Sequence, residues 1–406
     1  MNKISFLKNS IQEYPWGSPT ILPKLLGRKI PASKPQAELW MGAHPRLPSE
    51  VLFQDRHFPL NELIHRNPKV ILGKTAARQF KGELPFLFKL LAVNQPLSLQ
   101  AHPDRRQARQ GYHREVMNRI PLHAENRNFK DPNSKPEMIC ALTPFWILCG
   151  FRPVKEILTL MRKIQGPHHG KLLKPFCSDP SAAGLKRFFS QLMLLEDSNK
   201  LLVLSEILSF SRKHQKNNPV FSWVMKLHRL HPQDIGIIAP LLLNVIHLKT
   251  DEALFSPPCQ LHSYLKGFGI ELMGNSDNVL RGGLTSKHLD VEGLIRILNF
   301  SPSRVQIIRP ISISEVERIL PTPSLEFSLS IITLKNGKFL KSQASRNVEI
   351  MICLKGDGVI QSPNQKPLTF RQGMSWVIPA SAGIYTIRGN AKIYKSTVPN
   401  KKGDRS

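Results

Sequence analysis

The chain has 406 residues, of which 41% are hydrophobic and 21% charged, the composition of a soluble globular protein too long for one small core. Fifty-seven Lys and Arg against 29 Asp and Glu give a formal net charge of +28, which favours anionic partners such as nucleic acid, anionic lipid or phosphorylated metabolites. No apolar run is long enough to span a membrane and no signal-peptide pattern opens the chain. Five scattered cysteines without a C-x-x-C pair predict reduced thiols in a cytoplasm rather than a disulfide framework.

Residues 1 to about 100 alternate short apolar runs with Pro and Gly, the texture of strands joined by turns. Trp16 and Trp40 fall in this part, on strands or tight turns lining one cavity, with core packing the favoured role for Trp40. Residues 84–93 read as a buried strand. In the run 97–102 that follows, strand alternation sends Gln100 and His102 to the same face. Such a pair either holds a metal or lies on a solvated face.

Residues 104–128 predict an Arg-rich polar helix capped by Asp104. Lys135 and Glu137 then flank Pro136, just before an apolar run. From Lys155 to about Lys249 apolar residues recur at helical spacing, which predicts a helical insertion. His168-His169 sits in a turn-like stretch and reads as a solvated loop. Strand texture returns after Phe255, and from about Ile311 a second all-β region runs to Ser396. No histidine follows His288, so this last region lacks the means to hold a His-rich metal site. The basic residues are dispersed, without aromatic–basic alternation or zinc-finger spacing, so most of the charge reads as a solvated surface with no specific nucleic-acid partner. The tail 399–406 is polar and basic, and disorder is expected there.

Six segments, in order along the chain, carry a resemblance. They are Tyr14-Pro15-Trp16-Gly17-Ser18, Glu38-Leu39-Trp40-Met41-Gly42-Ala43-His44-Pro45, Gln100-Ala101-His102-Pro103-Asp104, Lys135-Pro136-Glu137, Gly150-Phe151-Arg152-Pro153 and the block from His262 to Lys287. Together they resemble the type I phosphomannose isomerases, zinc-dependent enzymes of the cupin superfamily. The likeness covers about the first 290 residues and is weakest in the middle.

The resemblance implies a mostly β fold with a helical insertion: two cupin-type jelly-roll β domains plus an α-helical domain. The expected division is 1–154 with 251–310 for a discontinuous catalytic domain, 155–250 for the helices, 311–398 for the second cupin domain and 399–406 for the tail. The implied reaction interconverts mannose 6-phosphate and fructose 6-phosphate through a cis-enediol; a monomer in the cytoplasm with no membrane partner is expected. The implied cofactor is Zn²⁺, with Gln100, His102, Glu137 and His262 as its ligands.

In the same resemblance Arg281 is the catalytic arginine and Lys135 the acid/base or substrate-orienting group. Asp277 would orient Arg281 or Lys135, Lys89 would meet the phosphate, and Tyr264 and Trp16 would line the sugar pocket. The sequence departs from the family pattern at Ser134, where a histidine is usual, and at Phe129, where a tyrosine is usual. The rival readings are a non-catalytic cupin that binds sugar phosphates or other anions, and a nucleic-acid-binding protein.

Overall fold

A computed structural model describes residues 2–53, 56–302, 304–363 and 365–400. The expected disorder of the tail falls largely on residues 401–406, which lie outside the described residues. Among the described residues the strands form a 10-stranded and an 11-stranded sheet, largely antiparallel and back to back, with a helical block against the first. No helix is long and apolar enough to cross a membrane.

The 13-residue strand His262–Gly274 is the axis of the first sheet. Its first half pairs with Leu99–Ala101 and Phe145–Phe151, and its second half with Phe86–Val93 and Glu137–Ala141. The change of partner follows a register shift between Tyr264 and Lys266 and is completed at Gly267, which has φ 143°. A Cβ at Gly267 would lie 2.5 Å from the Phe145 ring, so only glycine allows the strand to bend there. The bend lets one strand serve two groups of partners, and those partners carry the site.

Alternation then sorts the side chains. Leu99 and Ala101 face a large apolar core shared with the helices Val154–Met161, Ala182–Met193 and Pro219–Leu230, while Gln100 and His102 face the opposite side. The helices occupy Val154 to Leu242, and strand Leu243–Leu248 already pairs with Phe145–Phe151, so the chain rejoins the sheet before residue 250. His168 and His169 differ from expectation. They lie in the first turn of helix Pro167–Ser178, and His169 is buried. The Glu206 carboxylate accepts the backbone N–H groups of both, at 3.2 and 2.8 Å, and draws this helix start against helix Asp197–His214.

The second sheet contains most of residues 311–397, and strand Ser5–Lys8 joins it by pairing with Ser375–Ile378. The chain therefore begins in the second sheet, not the first. One face, with Ile331, Ile350, Ile352 and Tyr394, packs on Phe86, Phe88, Met138, Ile270 and Leu272 of the first sheet. The other face, with Ile332, Cys353, Trp376 and Ile393, fills the interior of its own barrel. Asp251 in the first unit adds a polar tie between the two. It accepts hydrogen bonds from Lys392 Nζ at 2.7 Å, Tyr394 Oη at 2.5 Å and Arg318 at 3.3 Å.

The predicted Arg-rich helix is shorter than its sequence range. It spans Arg105–Met117, with Asp104 and Gln107 forming a reciprocal capping box. Arg119 has φ 54°, outside the helical region, and Pro121 follows, so residues 118–136 run as a loop toward the site.

Candidate metal centre

Among the described residues, His102, Glu137 and His262 form the one group of three acidic, histidine or cysteine side chains able to hold a metal, their ligand atoms all within 4.8 Å of one another. All three are buried. His102 Nδ1 lies 2.7 Å from the backbone oxygen of Asn278, and His262 Nδ1 lies 2.9 Å from that of Gln260. A carbonyl oxygen only accepts, so each Nδ1 carries a hydrogen and each Nε2 bears a lone pair.

Those lone pairs point at the Glu137 carboxylate. His102 Nε2 is 3.1 Å from Oε1 and His262 Nε2 is 3.1 Å from Oε2, neither nitrogen has a hydrogen-bond partner, and Oε1 is also met by the Lys135 ammonium. Buried lone pairs facing a carboxylate repel unless a cation lies between them. Burial, reinforced by Lys135, pushes the His102 imidazole down to about 4, which keeps it neutral. Burial opposes ionisation of Glu137, but Lys135, with Nζ 2.9 Å from Oε1, leads the groups that outweigh it and hold this carboxyl well below its ordinary value. Neutral imidazoles and an ionised carboxylate are the donor set a divalent metal takes. The residues fit a zinc ion.

Strand pairing sets Gln100 beside this group. Gln100 lies opposite His262 on one side and opposite Arg281 on the other. Cross-strand partners share a face, so Arg281, Gln100 and His262 form one row across three strands. Tyr264, two residues after His262, is buried with its ring centroid 6.0 Å from that imidazole, and its hydroxyl has no hydrogen-bond partner. Burial first, then Glu137 and Glu271, push the phenol well above its ordinary value, so it stays protonated as a donor. Trp16 stacks on Tyr14 at 5.8 Å and packs against the cluster that contains Tyr264.

Residues 4–154 match the family model for the phosphomannose isomerase type I catalytic domain, and residues 318–398 match that for the mannose-6-phosphate isomerase cupin domain. The chain is 36% identical to the mannose-6-phosphate isomerase of Escherichia coli K12, over 95% of this chain and 97% of that one. It is 38% identical to the human enzyme of the same name, over 93% and 94% of the two chains. A zinc-bound crystal structure of a mannose 6-phosphate isomerase superposes with a TM-score of 0.91 at 33% identity, covering 98% of this chain and all of that one.

The chain belongs to the type I phosphomannose isomerases. The mostly β fold with its helical block, expected from the resemblance, is the fold of this family. The remaining candidate residues of this phosphomannose isomerase are distributed unevenly.

Lys89 already has two carboxylate partners. Its ammonium is buried 3.0 Å from Glu271 and 3.5 Å from Glu38 and lies 5.0 Å from the Trp40 ring centroid. Burial lowers its proton affinity, but the two carboxylates more than restore it, so the group stays charged. Trp40 is buried, as core packing requires, and its indole N–H donates to Glu38 at 2.5 Å. Asp277 meets neither Arg281 nor Lys135 directly. Its carboxylate faces His44 Nε2 at 3.5 Å, and although burial opposes ionisation, His44, Arg46 and Lys135 hold the carboxyl well below its usual range.

Three other cations lie within electrostatic reach of Lys287. Lys287 is lowered from its ordinary value by burial first and then by Arg281, Lys130 and Arg46. Arg281 is affected by burial alone, with no carboxylate acting on it. Arg46 is held with its guanidinium 5.2 Å from the Trp40 ring centroid. Lys287, Glu271 and Asn278 lie inside the last matching block and His44 inside the second, without an expected role for any of them. The signal for Asn278 is burial: it is 0% exposed, with every polar group of its side chain engaged.

Proposed function

We infer that the chain is a mannose-6-phosphate isomerase that interconverts mannose 6-phosphate and fructose 6-phosphate. The observation that carries this reading is the buried His102–Glu137–His262 group, whose two imidazole lone pairs converge on one carboxylate, in a chain of this family. A zinc ion held by Gln100, His102, Glu137 and His262 would supply Lewis-acid polarisation of the sugar's carbonyl and hydroxyl oxygens.

The protein's own residues do the rest. Isomerisation removes the proton at C2 of the open-chain aldose, forms a cis-enediol and returns a proton to C1. Lys135, at the mouth of the centre beside Glu137, is the group we assign to carry that proton. Arg281 ends the row that begins at His262, and its unpaired guanidinium is directed to the charge that develops on the enediolate oxygens. Trp16 and the Tyr264 hydroxyl line the sugar. Asp277, held anionic by His44, Arg46 and Lys135, sets the field at the Lys135 end.

The phosphate is assigned to Lys287 with Lys130 and Arg46. No carboxylate acts on Lys287, and its charged neighbours are cations, whereas Lys89 is already matched by two carboxylates. Such an unmatched group needs an anion to relieve it. A monomer in the cytoplasm belongs to the same reading, and five free thiols suit reducing surroundings. A coupled assay with mannose 6-phosphate on protein of measured zinc content tests the function. Zinc-loaded protein that leaves the sugar phosphate unchanged would overturn it.

A further inference from the structure

We propose that Asp234, at the end of the helical insertion, is a positioning residue for the loop that carries the phosphate-binding lysine, so that the insertion serves substrate binding. This rests on the assignment of Lys287 to the phosphate. Asp234 follows helix Pro219–Leu230 and precedes the short 3₁₀ turn Ile235–Ile238. Its Oδ1 accepts the Gly236 N–H at 2.7 Å, which caps that turn. Its Oδ2 reaches out of the insertion to a distant part of the chain and accepts the N–H of Leu284 at 2.6 Å and of Thr285 at 3.3 Å.

The segment so held is a tight turn between Arg281 and Lys287. Gly283 has φ 127° and Leu284 has φ 57°, two consecutive residues in a region that side chains rarely adopt. A Cβ at Gly283 would fall 2.5 Å from Asp234 Oδ1, so the carboxylate and the turn fit directly together. Two successive backbone N–H groups converging on one carboxylate form a small anion nest, and the anion fixes the turn. Leu284 buries its side chain in the core it shares with Ile235 and Ile237, which holds the turn from its apolar side.

The hydrogen bonds continue toward the phosphate. Thr285 Oγ1 accepts the Lys287 N–H at 3.1 Å. Asp234 therefore fixes Thr285, and Thr285 fixes the backbone of Lys287. On the other side of the turn, Arg281 is anchored by pairing with Gln100. The loop is thus held by the metal-bearing sheet at one end and by the insertion at the other. Capping alone would need only the bond to Gly236, and the two bonds to residues 284 and 285 are what the positioning role adds.

The test uses zinc-loaded full-length protein and the variants Asp234→Ala, Thr285→Val, Lys287→Ala and Asp234→Ala with Lys287→Ala. For each, zinc content, thermal midpoint, kcat, KM for mannose 6-phosphate and the inhibition constant of inorganic phosphate are measured. Asp234→Ala is expected to raise KM and the phosphate inhibition constant on the order of 10-fold, the scale of one hydrogen bond to a charged group, with zinc content unchanged and kcat little changed. Thr285→Val, which leaves the cap intact, should shift the same two constants in the same direction. In the double variant the two effects should be less than multiplicative, because both act through one lysine. A lowered thermal midpoint with KM and the inhibition constant unchanged in both Asp234→Ala and Thr285→Val would reduce Asp234 to a cap and overturn the proposal. If Asp234→Ala does not fold, Thr285→Val decides alone. If Lys287→Ala itself leaves both constants unchanged, the phosphate assignment fails first, and that outcome is distinct from failure of the Asp234 arm alone.

Discussion

His102 Nδ1 lies 2.7 Å from the backbone oxygen of Asn278, and the side chain of that same asparagine holds the loop leading to Glu137. Asn278 Oδ1 accepts the Lys130 N–H at 2.6 Å, and its amide donates to the backbone oxygens of Asp131 and Asn133 at 2.8 and 2.9 Å. One buried residue thus orients one side chain of the candidate metal centre and fixes the approach of a second. Asn278→Ala should leave the carbonyl but free the loop, and zinc affinity should fall by about 10–100-fold, as for other supporting contacts. Competition with a fluorescent zinc chelator measures this. Unchanged affinity would mean that the loop is held by other contacts.

Part of the site was legible in the sequence because it depends on local rules. Strand alternation alone puts Gln100 and His102 on one face, and the capping box at Asp104 follows from residue type and spacing. Glu137 and His262 became ligand candidates through the family resemblance, since nothing local links residues 137 and 262. The unread features are choices among distant partners. Lys89 is a lone basic residue in an apolar strand, and only the pairing of three strands brings Glu38 and Glu271 to it. His169 reads as a loop residue from local sequence because its helix start is stabilised by Glu206, a residue on another helix.

His262→Ala and Lys135→Ala should separate holding the metal from using it. His262 supplies one of the inward lone pairs, and Lys135 only faces the carboxylate. His262→Ala should lose zinc to a mild chelator, whereas Lys135→Ala should keep it while losing turnover. Equal zinc loss in both variants would make Lys135 a structural support of Glu137.

Lys89→Ala should act on stability before it acts on the substrate. It leaves Glu38 and Glu271 buried without their shared cation. Breaking a buried ion pair from one side costs roughly 3–5 kcal/mol. Denaturant unfolding of the variant should show a loss of that order. A variant of normal stability with only a raised KM would return Lys89 to the phosphate.

Asp251→Asn tests the tie between the two sheets. Burial opposes ionisation of Asp251, but the hydrogen bonds from Lys392 and Tyr394 and the nearby cations outweigh it, so its carboxyl lies below its ordinary value. A group depressed by folding stabilises the protein above its unfolded pKa of about 4 and loses that contribution as pH falls toward the folded value. At pH 7 the variant should be less stable by about 2–3 kcal/mol, the scale for hydrogen bonds to a charged group. At pH 3 the difference from the parent protein should narrow. A difference that stays constant with pH would show that the carboxylate's charge contributes nothing.

Arg281→Ala tests the assignment on which the chemistry turns. The open-chain sugar carries little negative charge at C1 and C2 before the proton leaves, and the enediolate carries a full one. A fixed cation there favours the transition state over the bound sugar and so raises kcat more than it lowers KM. Arg281 suits that role because burial, with no opposing carboxylate, leaves its charge unspent, and because strand pairing sets it beside Gln100 in the row that ends at His262. Removing one such donor typically costs on the order of 10²–10³ in rate. Arg281→Ala should lower kcat by about that factor, with zinc content normal and KM little changed. Arg281→Lys should recover little, because an ammonium cannot reproduce the two-pronged donation of a guanidinium. If Arg281→Ala keeps kcat and raises only KM, Arg281 belongs with Lys287 at the phosphate, and the enediolate is stabilised by another group.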